Sequence, residues 1–351
     1  MTDTIRVGVI GYGMAGRLFH TSVIDATPGL ELAAVVQRSG DDALQKFPRI
    51  RLYRSIEELL DDSTIRLVVV ATPSASHFEV AQQCLQADRD VVVDKPFTLT
   101  SDEAAKLTQL ARQQKRLLSI YQNRRWDGSF KTLQKILADG QLGRIASYES
   151  HYDRFRPKPR LERWRENGGP GGGLLLDLGS HLIDQALVLF GEPERISASI
   201  RIEREGGATD DAFDITLFYP TLTASLRASS ITLVSGPVFA VHGTQGSFIK
   251  YGLDPQENAL KDGATFDTPG FGCEPEDAWG TLYQEGVEPQ RIESDPGDYR
   301  GFYANVRDAL SGAAPLNVTP EQAWRTVRLI ELAEESSKQG RVLPVDFSDR
   351  P

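Results

Sequence analysis

The sequence predicts an α/β protein in two parts: a doubly wound parallel sheet over residues 1–123, then an α+β part with an open, largely antiparallel sheet over residues 124–351. Three observations lead there. Short apolar runs alternate with helical patterns through the first third of the chain, the signature of repeated β-α-β units. The first run feeds a glycine-rich turn, Gly11-Tyr12-Gly13-Met14-Ala15-Gly16. After Asn123 alternating segments follow one another without helices between them, and strands joined by short turns run antiparallel.

Ile5 to Ile10 reads as a short buried strand, entered directly from Met1-Thr2-Asp3 without the basic and apolar regions of a signal peptide. In the turn that follows, Gly11 allows the tight bend, Gly13 the approach of backbone to a pyrophosphate, and Gly16 the packing of helix on strand. Tyr12, Met14 and Ala15 share that turn, and the helix amino terminus faces the phosphates. Glu31 to Val36 is the next strand. Where a carboxylate would meet the adenosine ribose, the chain has Gln37-Arg38-Ser39. Arg38 can grip a 2′-phosphate and Ser39 can donate to it; roughly 1.5–3 kcal/mol for a charge-assisted bond amounts to about a ten- to hundredfold preference for NADP over NAD.

Helices around Ala43 and Glu57 lead on to a strand over Leu67 to Ala71, which ends at Thr72-Pro73-Ser74-Ala75-Ser76-His77. Thr72 and Pro73 suit contact with the nicotinamide ribose or the phosphates, and His77 either binds cofactor or packs. The helix through Ala81 and Leu85 leads to Val91, Val92 and Val93, closed by Asp94-Lys95-Pro96-Phe97. That places an ammonium at the carboxyl end of a buried parallel strand, the edge that faces the ligand crevice, beside a proline that fixes backbone direction. A helix from Ser101 to Gln114 and a strand from Leu117 to Tyr121 complete the first part. Asn123, Arg125 and Trp126 then lie by topology at the crevice.

Arg124-Arg125-Trp126-Asp127 opens the second part with a helix to about Ala138. Strands are expected at Ile145 to Tyr152, Ile196 to Ile202, Phe213 to Tyr219, Thr223 to Leu233 and Phe239 to Val241. One face of such a sheet can pack on helices while the other meets a second subunit, so a homo-oligomer, dimer or tetramer, is expected. A closing helix, Pro320 to Gln339, turns Ala323, Val327, Ile330 and Leu332 toward the body.

A composition of 40% apolar and 25% charged residues is ordinary globular material, and a net charge of -10 argues against nucleic-acid or anionic-membrane partners. Nothing in it spans a bilayer. Two distant cysteines, Cys84 and Cys273, fit a reduced cytoplasmic setting, and no cysteine and histidine set has metal-ligand spacing.

The glycines of Gly168-Gly169-Pro170-Gly171-Gly172-Gly173 mark a loop before a helix carrying Asp177, His181 and Asp184. Spacings of four and three put all three on one face. A histidine beside a carboxylate can take a hydroxyl proton while hydride leaves the same carbon, and such assistance is worth roughly a hundred- to ten-thousandfold. Tyr152 and Arg154, at a strand end among groups of both signs, can hydrogen-bond a polyol.

Gly11-x-Gly13-x-x-Gly16, Asp94-Lys95-Pro96 and Asp177-x-Gly179-x-His181-x-x-Asp184 together resemble, in order and at the same distances, the three motifs of the Gfo/Idh/MocA family of NAD(P)-dependent oxidoreductases. The family usually carries glutamate where Asp94 stands. The resemblance covers nearly the whole chain and implies a Rossmann first domain, a Lys95 that polarises the reacting oxygen, a cis Lys95–Pro96 bond, His181 as acid/base and Asp177 orienting it or touching substrate. Val92 to Phe97, Asn123 to Asp127, Asp153 to Pro157 and Lys250 to Gln256 resemble more narrowly the bacterial NADP-dependent scyllo-inositol dehydrogenase branch. The expectation is therefore an oxidoreductase acting on a polyol or sugar, with NADP favoured over NAD.

Overall fold

The structure is a computed structural model that describes residues 4–351; the Met1-Thr2-Asp3 lead lies outside the described residues. Six strands form the first sheet: β1 (Ile5–Ile10), β2 (Leu30–Val36), β3 (Arg51–Tyr53), β4 (Leu67–Val70), β5 (Asp90–Val93) and β6 (Leu118–Ile120). Their order is β3-β2-β1-β4-β5-β6, and every pairing is parallel. Helices cover both faces, which is why β4 and β5 are continuous runs of buried residues rather than alternating ones. From β1 the order runs outward in both directions, so the crevice opens between the ends of β1 and β4.

The second sheet has nine strands: β7 (Ile145–His151), β8 (Arg195–Arg201), β9 (Ala212–Phe218), β10 (Thr223–Ser229), β11 (Phe239–Gly243), β12 (Gly246–Lys250), β13 (Gly280–Gln284), β14 (Val287–Ile292) and β15 (Leu343–Pro344). Their order is β14-β13-β12-β11-β7-β10-β9-β8-β15, antiparallel throughout except between β7 and β10. Alternation decides which face is buried. Phe213, Ile215, Leu217, Ala224, Leu226 and Ala228 point to the helices, while Asp214, Thr216, Ser225 and Arg227 lie on the open face. On that face Arg201 and Arg227 share the Asp214 carboxylate at 2.7 and 2.9 Å.

Two helices of the second part return to the first sheet. The helix Pro320–Gln339 opens with a reciprocal cap between Thr319 and Gln322 and ends at Gly340 in the left-handed region. Ala323, Val327, Ile330 and Leu332 are buried as the spacing predicts. Its Glu331 accepts from both Ser101 N and Ser101 Oγ at 2.7 Å, tying it to the start of the helix Ser101–Gln114. The helix Arg300–Leu310 brings Phe302 and Tyr303 against Tyr121, and Tyr303 Oη lies 2.6 Å from His20 Nδ1.

Some boundaries differ from expectation. The strand expected to reach Leu233 stops at Ser229, and Leu233 and Val234 are 72% and 85% exposed. The helix expected from Arg124 begins at Gly128. Asn123–Trp126 is a 3-10 turn and Asp127 is extended, with φ -64° and ψ 134°. The longest described helices are too polar to cross a membrane.

Candidate active site

The carboxyl end of β5 delivers Asp94 and Lys95 into the crevice, and the Lys95–Pro96 peptide is cis. Lys95 Nζ donates to the Asp177 backbone oxygen at 2.6 Å and to Asp177 Oδ1 at 2.9 Å. An ammonium has three N–H groups, so one is left over to face the cavity. Burial works to raise the Asp177 carboxyl, but Lys95, Arg154 and Arg165 outweigh it and hold the pKa well below the usual carboxylate range. The carboxylate oxygens lie 3.3 Å from Arg154 Nη1 and 3.6 Å from Arg165 Nε.

Asp177 sits in a π-helical turn, Leu175–Gly179, that precedes the helix Ser180–Phe190. Wider turns of this kind rotate side chains out of α-helical register. The expected Asp177–His181 contact is therefore replaced: Asp177 is held by Lys95 and two arginines, and His181 Nδ1 is buried with no hydrogen-bond partner among the described residues. Burial, then the charges of Lys95 and Arg124, push the His181 pKa well below its ordinary value, against the opposing pull of Asp177. The ring is thus neutral near pH 7 and lines the same cavity as Lys95 and Asp177, a space of about 650 Å³. That volume suits a small-molecule site.

A second cavity of about 770 Å³ runs along the ends of β1, β2 and β4. Gly11 to Ala15, Arg38, Ser39, Thr72, Pro73 and Asp94 line it. The residues fit a dinucleotide. Gly11 has φ 102°, and a Cβ there would meet Ala71 O at 2.6 Å, whereas a Cβ on Gly13 would meet nothing within 4 Å, leaving open space where a phosphate can approach. Gly16 has the packing role, since a Cβ would strike the Gly11 carbonyl. At the adenosine end Arg38 and Ser39 stand in a loop braced by Arg54, whose Nη1 donates to Gln37 O at 2.9 Å and also to Gly40 O. Arg54 lines the groove too, unforeseen from its place in a loop between β3 and a short helix.

Several expected contacts fall elsewhere. His77 is 1% exposed, with Nδ1 at 2.8 Å from Pro96 O and Nε2 at 2.9 Å from Thr72 O, so it clasps two loops instead of facing cofactor. Arg125 turns away from the cavity to grip Asp184 with Nε and Nη2, at 2.8 and 2.7 Å, while Nη1 donates to Asn317 O and Gln322 Oε1. Asp184 is thereby committed to that pair. Trp126 packs on Phe302, and Tyr152 is buried behind Arg124, 5.3 Å from its guanidinium. The 3-10 turn explains the exchange: Arg124, not Arg125, reaches the cavity, beside Asn123, and is held by Glu257 at 2.7 Å. Trp164 and Arg165 line both cavities and form the wall between them. The dense arginines of their segment were the available sign.

Two domain models match, "Oxidoreductase family, NAD-binding Rossmann fold" over residues 5–122 and "Oxidoreductase family, C-terminal alpha/beta domain" over residues 134–347. The chain is 41% identical to the uncharacterized oxidoreductase YdgJ of Escherichia coli, over 98% of this chain and 99% of that one. It is 38% identical to the scyllo-inositol 2-dehydrogenase (NADP(+)) IolW of Bacillus subtilis, over 98% and 97%. The mouse trans-1,2-dihydrobenzene-1,2-diol dehydrogenase is 30% identical over 69% of this chain and 73% of its own. Among solved structures, the yvaA oxidoreductase of Bacillus subtilis superposes with a TM-score of 0.95 at 38% identity, covering 99% of both chains. A nucleotide-binding parallel sheet, a lysine and histidine at its crevice, and relatives matched from end to end make this chain a member of the Gfo/Idh/MocA oxidoreductase family.

Proposed function

We propose that the protein is an NADP-dependent dehydrogenase that reversibly oxidises one secondary hydroxyl of a cyclic polyol, scyllo-inositol, to the ketone. Residues 1–123 hold the cofactor, and residues 124–351 hold the substrate and form the oligomer contact. The observation that carries this reading is that His181, held neutral by its lowered pKa and with no partner at Nδ1 among the described residues, lines the same cavity as Lys95, whose ammonium has one N–H to spare. A substrate hydroxyl placed between them gives its proton to His181, and Lys95 steadies the negative charge developing on the oxygen. Asp177 fixes the ammonium in place through its backbone oxygen and its carboxylate. NADP, when bound, supplies the hydride acceptor. Arg38, Ser39 and the open space at Gly13 would hold its 2′-phosphate and pyrophosphate.

The similarity to an NADP(+)-dependent scyllo-inositol 2-dehydrogenase supports the substrate and cofactor together. Initial rates with NADP and with NAD across scyllo-inositol, myo-inositol, glucose, xylose and a cyclic dihydrodiol test both. Fast turnover of scyllo-inositol with NADP is expected. Equal rates with NAD would remove the Arg38 reading; a faster sugar would make the protein a sugar dehydrogenase, and a faster dihydrodiol would move the substrate to the class named by the mouse relative. Tight NADP binding without turnover of any of them would favour a nucleotide-sensing protein instead.

A further inference from the structure

We infer that Arg156 and Arg163 form an oxyanion subsite in the substrate cavity, and that the preferred substrate is a polyol carrying a carboxylate or phosphate group. The substrate half of this inference rests on the dehydrogenase reading above. Scyllo-inositol then represents the ring that reacts, without the charged group that the second subsite takes.

The chain as a whole carries a net charge of -10, yet residues 154–165 hold six cations, Arg154, Arg156, Lys158, Arg160, Arg163 and Arg165, against the one acid Glu162. Five of the six line the substrate cavity. A concentration of one sign around a cleft raises the local concentration of opposite charge. Internal pairing accounts for only some of it. Arg154 and Arg165 face Asp177 at 3.3 and 3.6 Å, and Arg160 faces Glu166 at 3.4 Å. Glu166 is also shared with Arg204 at 2.9 Å. Arg156 and Arg163 are left with their backbone amides bonded, to Ser230 O and Arg160 O, and their guanidinium groups without a carboxylate partner among the described residues. Partial burial, then the like charges of Arg154 and Arg160, lower the Arg156 pKa, as expected of a cation crowded by others.

Location decides whose anion is meant. Arg165 and Trp164 line both cavities and so can reach cofactor. Arg156 and Arg163 line only the substrate cavity. A neutral polyol offers them hydroxyls that water could replace, whereas a carboxylate or phosphate accepts paired, charge-assisted bonds from a guanidinium fork.

The test compares scyllo-inositol with an inositol monophosphate, and glucose with glucuronate, at saturating NADP in the full chain and in the Arg156→Ala/Arg163→Ala variant. The charged member of a pair should have the higher kcat/KM, by about tenfold or more at low salt and by less as salt is added. The double substitution should lower kcat/KM for that member by about ten- to a hundredfold, leaving the neutral member and the KM for NADP unchanged. Three results would overturn the inference: a wild-type preference for the neutral members, equal losses for both members, or a loss that appears in the KM for NADP. If no polyol turns over, the dehydrogenase reading fails separately, and inorganic phosphate tests the subsite alone. Phosphate should raise the Tm of the NADP-saturated wild type and not that of the variant; an equal shift in both would dismiss the subsite.

Discussion

Burial and the charges of Lys95 and Arg124 lower the His181 pKa, and this sets the direction of its pH dependence. Oxidation needs the neutral ring, and a lowered pKa keeps the ring neutral to lower pH, so the acid limb of kcat/KM should lie below the ordinary histidine value of 6.5. A limb at or above that value would mean another group controls the step. His181→Ala should lower kcat by about a hundred- to ten-thousandfold while NADP affinity, measured by fluorescence titration, stays unchanged. At the other cavity, Arg38→Ala should raise the KM for NADP by about ten- to a hundredfold and leave that for NAD alone. Parallel loss with both cofactors would show Arg38 to be structural. The places of Lys95, His181 and Arg38 beside the two cavities were legible because each stands at a strand end or on a helix whose pattern is clear. The partners of Asp177, Asp184 and Arg125 could not. Their directions depend on a π-helical turn and a 3-10 turn, and residue spacing interpreted as α-helix puts them on the wrong faces.

Among the elements, the glycine loop that leads into the His181 helix is held by Asp210. Its Oδ2 accepts from Leu175 N at 2.7 Å, and its backbone oxygen accepts from Leu174 N at 2.9 Å. Gly173, at φ 96°, has no room for a Cβ beside that carboxyl. Burial raises the Asp210 pKa to about 6, from an ordinary 3.8. A carboxyl that binds its proton more tightly when folded stabilises the fold most at pH values below the unfolded pKa and progressively less as pH rises to the folded one. Asp210→Asn keeps an acceptor for Leu175 without the ionisation. The variant should therefore gain on wild type across the window from 3.8 to about 6. Denaturation across that window should show the gain reach about 3 kcal/mol and then level off. A constant difference would show that Asp210 titrates normally. β1, β2, β4, β5 and β6 were legible because burial on both faces makes them nearly all apolar, whereas the three-residue β3, with Arg51 exposed, offered no such run. β14 was not, since five of its six residues are exposed and their polarity carries no alternation. The returns of Arg300–Leu310 and Pro320–Gln339 were equally hidden, because contacts such as Glu331 with Ser101 join residues far apart in the chain.

For the whole molecule the open question is what covers the free face of the nine-stranded sheet. Glu149, Ser225, Thr216 and Ser197 stand in one row across β7, β10, β9 and β8, each directly opposite the next. Around them Arg201, Arg227 and Asp214 are paired with one another. Small hydroxyl side chains between neutralised charges let a second sheet approach closely without leaving an unpaired ion, which suits self-association through a two-fold contact. We therefore expect a dimer or tetramer of the 38.8 kDa chain. Thr216→Arg with Ser225→Arg would place two long cations at the centre of that row, and a two-fold contact would bring them against their own copies. Light scattering should then show the mass falling to that of one chain. Far-UV circular dichroism should be unchanged, because both side chains lie outside the core. An unchanged mass in the variant would place the contact elsewhere, and a wild type that runs as a single chain would leave the face to solvent. Loss of turnover in a monomeric variant that still binds NADP would add a further conclusion. β7 leads directly into Tyr152 and Arg154, so the sheet contact would then be what holds Arg154 against Asp177.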